Sequence, residues 1–183
     1  MLIAQQKKEQ NIAEYIVYMY QIEDIIRAFK LDVDVIMENF VLPQLPDRSF
    51  ENQYRTWYEG LVKQMKAQKI EEKGHLVELN EIIVELSYLH TTLLNMTKDE
   101  KYVGIFDRAL PLMEDFKSRS NLKDKNHIEI AFHAMYMKLL MKLQKKEISA
   151  ETEEAFDAMR MLLAYLGRAY HKMKSGDLDF LQN

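Results

Sequence analysis

Apolar residues recur at helical spacing along nearly the whole chain. A helix that buries one side repeats its apolar positions at steps of three, four and seven, because 3.6 residues complete a turn. Ile12, Ile16, Met19, Ile26 and Phe29 follow that spacing and predict a first helix over roughly residues 5–29. Val17, Tyr18 and Ile25 add apolar surface on its other sides, so this helix is expected to be central. A short helix is expected from Asp32, with Val33, Ile36, Met37 and Phe40 on one side. "LPQLP" at 42–46 breaks the pattern, since each proline restricts the residue before it. Phe50, Tyr54, Trp57, Leu61 and Met65 predict a third helix over about 48–69. Leu79, Ile82, Leu86, Leu89 and Leu93 predict a fourth over about 74–94.

Cap signals set the later boundaries. Thr97 and Glu100 have the spacing of a capping box and open a fifth helix, inside which Pro111 predicts a kink or a restart. "SRSNLKDKN" reads as a polar loop. Asn126 and Glu129 form a second capping-box pattern, and Phe132, Met135, Leu139 and Leu143 continue that helix. Ser149 caps the last long helix, which runs to about Lys174. Lys172 and Lys174 complement its C-terminal dipole, and Gly176 stops it. No alternating strand pattern competes. The expected fold is all-α: a single-domain helical bundle of about six or seven helices spanning 1–183, with a mobile C-terminal tail from about 176. Short connections predict that sequential helices are antiparallel neighbours.

Composition supports this picture. Five Gly and three Pro in 183 residues are too few for a chain of many tight turns, and 48% apolar residues supply a core. No cysteine is present, which excludes disulfides, thiolate metal sites and cysteine nucleophiles. A net charge of −4 gives no broad basic field, and no nucleic-acid signature is found. The N-terminal "MLIAQQKKEQ" lacks the apolar core of a secretory signal, and no run is apolar enough to span a membrane. A cytoplasmic location is the resulting expectation.

Candidate chemistry begins with "YMYQIEDIIRAF", residues 18–29. Glu23 falls four residues after Met19 and three before Ile26, inside the apolar stripe, whereas Asp24 points away. A carboxylate buried there needs a partner. Arg27 is the local choice, and a tyrosine or histidine from another helix is the alternative. A structural ion pair or hydrogen-bonded acid takes precedence over a ligand or metal role. His90 lies on the apolar face of the fourth helix between Leu86 and Leu93, and His75 lies further up roughly the same side. A satisfied core histidine is the first reading of each. Glu129 and His133 stand one turn apart, suited to a metal or a local ion pair, although Glu129 also has a capping task.

Should Glu23, His90, Glu129 and His133 converge in a bundle core, two carboxylates and two imidazoles would suit zinc, manganese or iron. The ferritin-like pairing of two Glu-x-x-His motifs is missing; only Glu72 and His75 have that spacing. No HExxH, Walker or dinucleotide-binding pattern occurs, so no specific motif indicates a cofactor or a metal. Tyr15, Tyr18, Tyr20, Tyr54, Trp57 and Tyr58 form two aromatic clusters, read first as core and boundary residues. Twelve methionines fit either an adaptable binding surface or irregular core space.

Four stretches carry a family resemblance: "NIAEYIVYMYQIEDIIRA" at 11–28, "YRTWYEGLVKQM" at 54–65, "EEKGHLVELNEII" at 71–83 and "LQKKEISAET" at 143–152. In them the chain resembles uncharacterised, all-helical bacterial proteins of similar length, filed as a domain of unknown function. The resemblance implies a bacterial, cytoplasmic helical protein and supplies no reaction, cofactor or binding residue. The expected function is a non-enzymatic interaction or scaffold protein that self-associates as a homodimer. The competing expectation is a metal- or small-molecule-binding helical protein, an enzyme among the options, with a Glu/His site in the bundle core.

Overall fold

A computed structural model describes residues 2–177. Among these residues there are eight α-helices and no strand: α1 (Leu2–Gln10), α2 (Ile12–Ala28), α3 (Val33–Ile36), α4 (Glu51–Ala67), α5 (Val77–Thr91), α6 (Glu100–Arg119), α7 (His127–Leu143) and α8 (Ala150–Ser175). The all-α expectation holds, with more helices than the six or seven expected. One reason is local. The helix expected over 5–29 is broken at Asn11, whose extended backbone leaves the helix and whose side chain accepts the amide of Glu14. That bond satisfies one of the amide donors that a helix start leaves open. A π-helical turn at Met37–Val41 and a 3-10 turn at Leu42–Gln44 follow α3 and lead into the proline-rich break.

Four helices form the centre. α7 and α8 touch each other, and each touches both α2 and α5. The most extensive pairing is that of α6 with α8, while α1 lies on α2 and α4 on α3. The neighbour expectation thus holds for α7 with α8. It is corrected for α5, whose main contacts are α7 and α8 rather than its chain neighbours α4 and α6. Its apolar stripe is what decides this: Leu79, Leu86, Leu89 and Leu93 are buried together with Phe132 of α7 and Leu162 and Leu166 of α8 in one apolar cluster. At about 25 cal/mol per Å² of apolar surface removed from water, such burial outweighs nearness in the chain.

Several ends fall where their caps predict. Asn126 and Glu129 form the full capping box of α7, and Ser149 accepts the Thr152 amide at the start of α8. Gly176 ends α8 in the left-handed conformation with φ of 80°. The start of α6 needs correction. Its cap is Asp99, whose side chain accepts the Tyr102 amide, and not Thr97. α6 also continues through Pro111 where a kink or restart was expected. Pro111 is exposed, and burial of Phe106, Ala109 and Met113 along the helix holds the segment together. Of the tail expected from about 176, the part from 178 onward lies outside the described residues.

Candidate functional site

The acid at position 23 is the natural place to begin. α2 places Ile22 and Ile26 in the core, and Glu23 lies beside them with 1% of its surface exposed. Its carboxylate leaves the helix sideways and meets the segment between α4 and α5. Oε1 accepts the Leu76 amide at 2.8 Å, and Oε2 accepts His75 Nδ1 at 2.6 Å. The buried acid is therefore hydrogen-bonded through both oxygens, as burial of an ionisable group requires. Its position at the start of α5 also sets negative charge against the positive end of that helix.

The expected local partner is corrected. Arg27 does not bind Glu23. Its Nη1 donates to Asp24 Oδ1 at 2.9 Å, and its other nitrogens donate to the carbonyls of Ile70 and Gly74. Gly74 adopts a φ of 97°, a conformation open to glycine at little cost. Glu23 and Arg27 thus hold the same segment, residues 70–76, by opposite chemistries: one accepts an amide and an imidazole proton, the other donates to carbonyls. Gln68 completes the latch by accepting the Val77 amide at 2.9 Å.

His75 is gripped on its face as well as its edge. Its ring stacks on Tyr20 at 3.7 Å between centroids, and Tyr20 meets Tyr136 of α7 edge-on at 5.8 Å. The Tyr136 hydroxyl donates to Asp24, closing a small polar ring around the α2–α7 junction. Burial, with the Glu23 charge behind it, pushes the Tyr20 hydroxyl well above its ordinary pKa, so it remains protonated. Nδ1 of His75 is fixed by Glu23, which leaves Nε2 as the ring nitrogen with no hydrogen-bond partner among the described residues.

The other predicted residues do not gather at Glu23 as one centre. His90 is buried on α5, and its Nδ1 pairs with the Tyr102 hydroxyl at 2.7 Å. Phe106 and His127 pack their rings against it at 4.9 and 5.8 Å. Burial, helped by the His127 charge, lowers its pKa to about 4, which keeps the imidazole neutral. Glu129 serves its capping box and pairs with Lys125 at 2.7 Å. Burial pushes its carboxyl up, but the Lys125 ammonium and the Asn126 amide hold it below the usual range. His133 is exposed one turn further along α7. Partial desolvation and the facing charges of His75 and Lys125 lower its pKa. Among the described residues, no group of three or more His, Asp or Glu side chains is disposed to hold a metal ion.

Sequence reasoning missed the outer face of α5. Val77, Val84 and Tyr88 lie within about 40° of one another around the helix axis, at the spacing of one side. They are 50%, 68% and 69% exposed, and Met96 in the turn after the helix is 72% exposed. The opposite face carries the buried leucines. α5 is therefore apolar on two sides, and only one is covered. The signal was present in the sequence as apolar residues off the main stripe. Acids flank the exposed side, but two of them are paired within the chain: Glu78 with Lys8 at 2.5 Å and Glu85 with Lys174 at 2.8 Å.

The chain belongs to the family described as a domain of unknown function (DUF4924), whose model matches residues 1–177. No curated protein and no solved structure matches it.

Proposed function

We propose that this protein is a non-enzymatic interaction or scaffold module that self-associates, two copies meeting through the outer faces of α5. The observation that carries this is the uncovered side of Val77, Val84 and Tyr88 on a helix whose other side is fully packed. Contiguous apolar surface of this kind marks interaction sites more often than chance exposure does, and tyrosine and methionine are favoured in interface centres. A second copy fits as the partner because Lys8 and Lys174 already neutralise Glu78 and Glu85. Glu81, exposed on the same side about 40° from Val77, has no ion pair among the described residues, so the two copies must meet with their Glu81 side chains offset from each other at the edge of the contact. A bacterial, cytoplasmic setting is part of this proposal and rests on the resemblance. Sedimentation velocity up to high micromolar concentration is the test. The expected result is a dimer that Val84→Asp with Tyr88→Asp converts to monomer at unchanged helical content. A monomer throughout the range overturns the proposal.

A second reading, a metal- or small-molecule-binding protein with a Glu/His centre, is favoured by the anchoring of His75. A carboxylate that fixes one imidazole nitrogen and leaves the other available is how metal-ligating and proton-transferring histidines are oriented. Metal analysis of protein purified without a histidine tag tests it. Stoichiometric metal lost in His75→Ala supports this reading, and its absence from the wild-type chain removes the metal form.

A further inference from the structure

An apolar opening flanked by charge lies away from both the Glu23 latch and the outer face of α5. It is a groove of about 480 Å³ where α2, α7 and α8 meet, with α1 reaching its rim. Val17, Met135, Leu139 and Leu163 form its walls together with Ala13 and Ala164. The three helices touch one another, so the space is not a gap between separate parts. It exists because Ala13 and Ala164 are short where a leucine or phenylalanine would fill the volume. Pockets of about 300–1,000 Å³, mainly apolar with a few polar groups at one side, are the usual form of small-molecule sites.

The polar groups at the rim give the ligand its chemistry. Two are cations, Lys7 and Arg160, and one is an acid, Glu14. Lys7 pairs with Glu14 at 3.0 Å. Arg160 uses Nε for Asp157 at 3.2 Å, a bond that leaves its terminal nitrogens to donate elsewhere. Asp157 is also held by Lys138 at 3.2 Å, so its charge is shared between two cations. A guanidinium with both terminal nitrogens available matches the two oxygens of a carboxylate. Met135 supplies an unbranched, adaptable wall that tolerates chains of differing shape.

We propose that this groove binds a small amphipathic monocarboxylate, its hydrocarbon body between α2, α7 and α8 and its carboxylate on Arg160, with Lys7 beside it. The site is independent of self-association, since none of its residues belongs to the exposed side of α5.

Decanoate is the probe, titrated into the full-length protein below its self-association concentration by calorimetry and by amide chemical-shift mapping. Saturable one-to-one binding is expected, with shifts centred on α2 and α8. Removing a charged hydrogen-bond partner weakens binding by about tenfold, so Arg160→Gln and the neutral probe decanol are each expected to show about that loss. Ala164→Phe fills the groove and is expected to abolish binding while circular dichroism stays unchanged. If Ala164→Phe does not fold, Arg160→Gln decides, since its side chain is exposed and carries no core packing. No saturable binding, equal affinity for decanol, or indifference to Arg160→Gln overturns the proposal.

Discussion

Glu23 and His75 are 52 residues apart in the chain and 2.6 Å apart in space. The same carboxylate takes the Leu76 amide, so one buried acid joins α2 to the start of α5. Each bond has a definite consequence when removed.

Glu23→Gln keeps an oxygen for the Leu76 amide and a polar group for His75, and is expected to cost about 1 kcal/mol. Glu23→Leu leaves the buried Leu76 amide without a partner and takes the carboxylate from the partly exposed His75 imidazole, and is expected to cost about 3 kcal/mol. His75→Ala removes half of the acid's hydrogen bonding and is expected to fall near the leucine variant. Urea unfolding of the three variants checks the order. If Glu23→Leu proves as stable as wild type, the latch contributes nothing to the fold.

The start of α6 offers a sharper contrast, because two nearby residues compete for one role. Asp99 is buried and accepts the Tyr102 amide at 2.8 Å and the Tyr165 hydroxyl at 2.7 Å. Asp99→Ala loses the cap and strands both donors, and is expected to cost about 2–3 kcal/mol. Among the described residues, the Thr97 hydroxyl makes only a long 3.5 Å contact to the Thr92 carbonyl. Thr97→Ala is expected to stay within about 0.5 kcal/mol of wild type. Thermal melts of the two variants distinguish the caps, and equal losses would contradict the assignment to Asp99.

These two sites show what the sequence could carry. Burial of Glu23 followed from its place between Met19 and Ile26, since periodicity reports which side of a helix faces the core. Its partner followed only as the alternative to Arg27, a tyrosine or histidine from elsewhere; periodicity could not single out His75, 52 positions away. Arg27 looked suitable only through its nearness on the same helix, and backbone carbonyls claimed it instead. Helix ends were legible where a specific cap existed, as at Asn126, Ser149 and Gly176. They were obscure where lysines took left-handed positions in place of glycine: Lys69, Lys98 and Lys145 have φ of 57°, 51° and 52°. On α5 the leucine-rich stripe of Leu79, Ile82, Leu86, Leu89 and Leu93 was legible as the buried side, whereas the weaker side of Val77, Val84 and Tyr88 stood out only once packing against α7 and α8 left it uncovered. The groove between α2, α7 and α8 was illegible for a similar reason. Alanine at 13 and 164 signals a cavity only once the facing helices are known.

His90 supplies the last prediction, a dependence of stability on pH. Its folded pKa is about 4, below the ordinary value of 6.5, because burial beside Tyr102 and Phe106, with the His127 charge nearby, penalises the protonated ring. Between these values the unfolded chain binds a proton at His90 that the folded chain does not, so stability rises with pH across the window. The contribution is therefore fully present above pH 6.5, is lost progressively as pH falls toward 4, and loses no more below that. The gap between the two values corresponds to on the order of 3 kcal/mol at most. His133 is displaced in the same direction and adds to the slope. Its part is separated by measuring His133→Gln alongside His90→Gln. Glutamine keeps a polar partner for the Tyr102 hydroxyl but does not titrate, so His90→Gln is expected to flatten the stability profile between pH 6.5 and 4. Urea midpoints taken every half unit check this. A His90→Gln profile parallel to that of the wild type would show that His90 takes up its proton as readily in the folded chain as in the unfolded one, and that the His90–Tyr102 contact does not depend on a neutral ring.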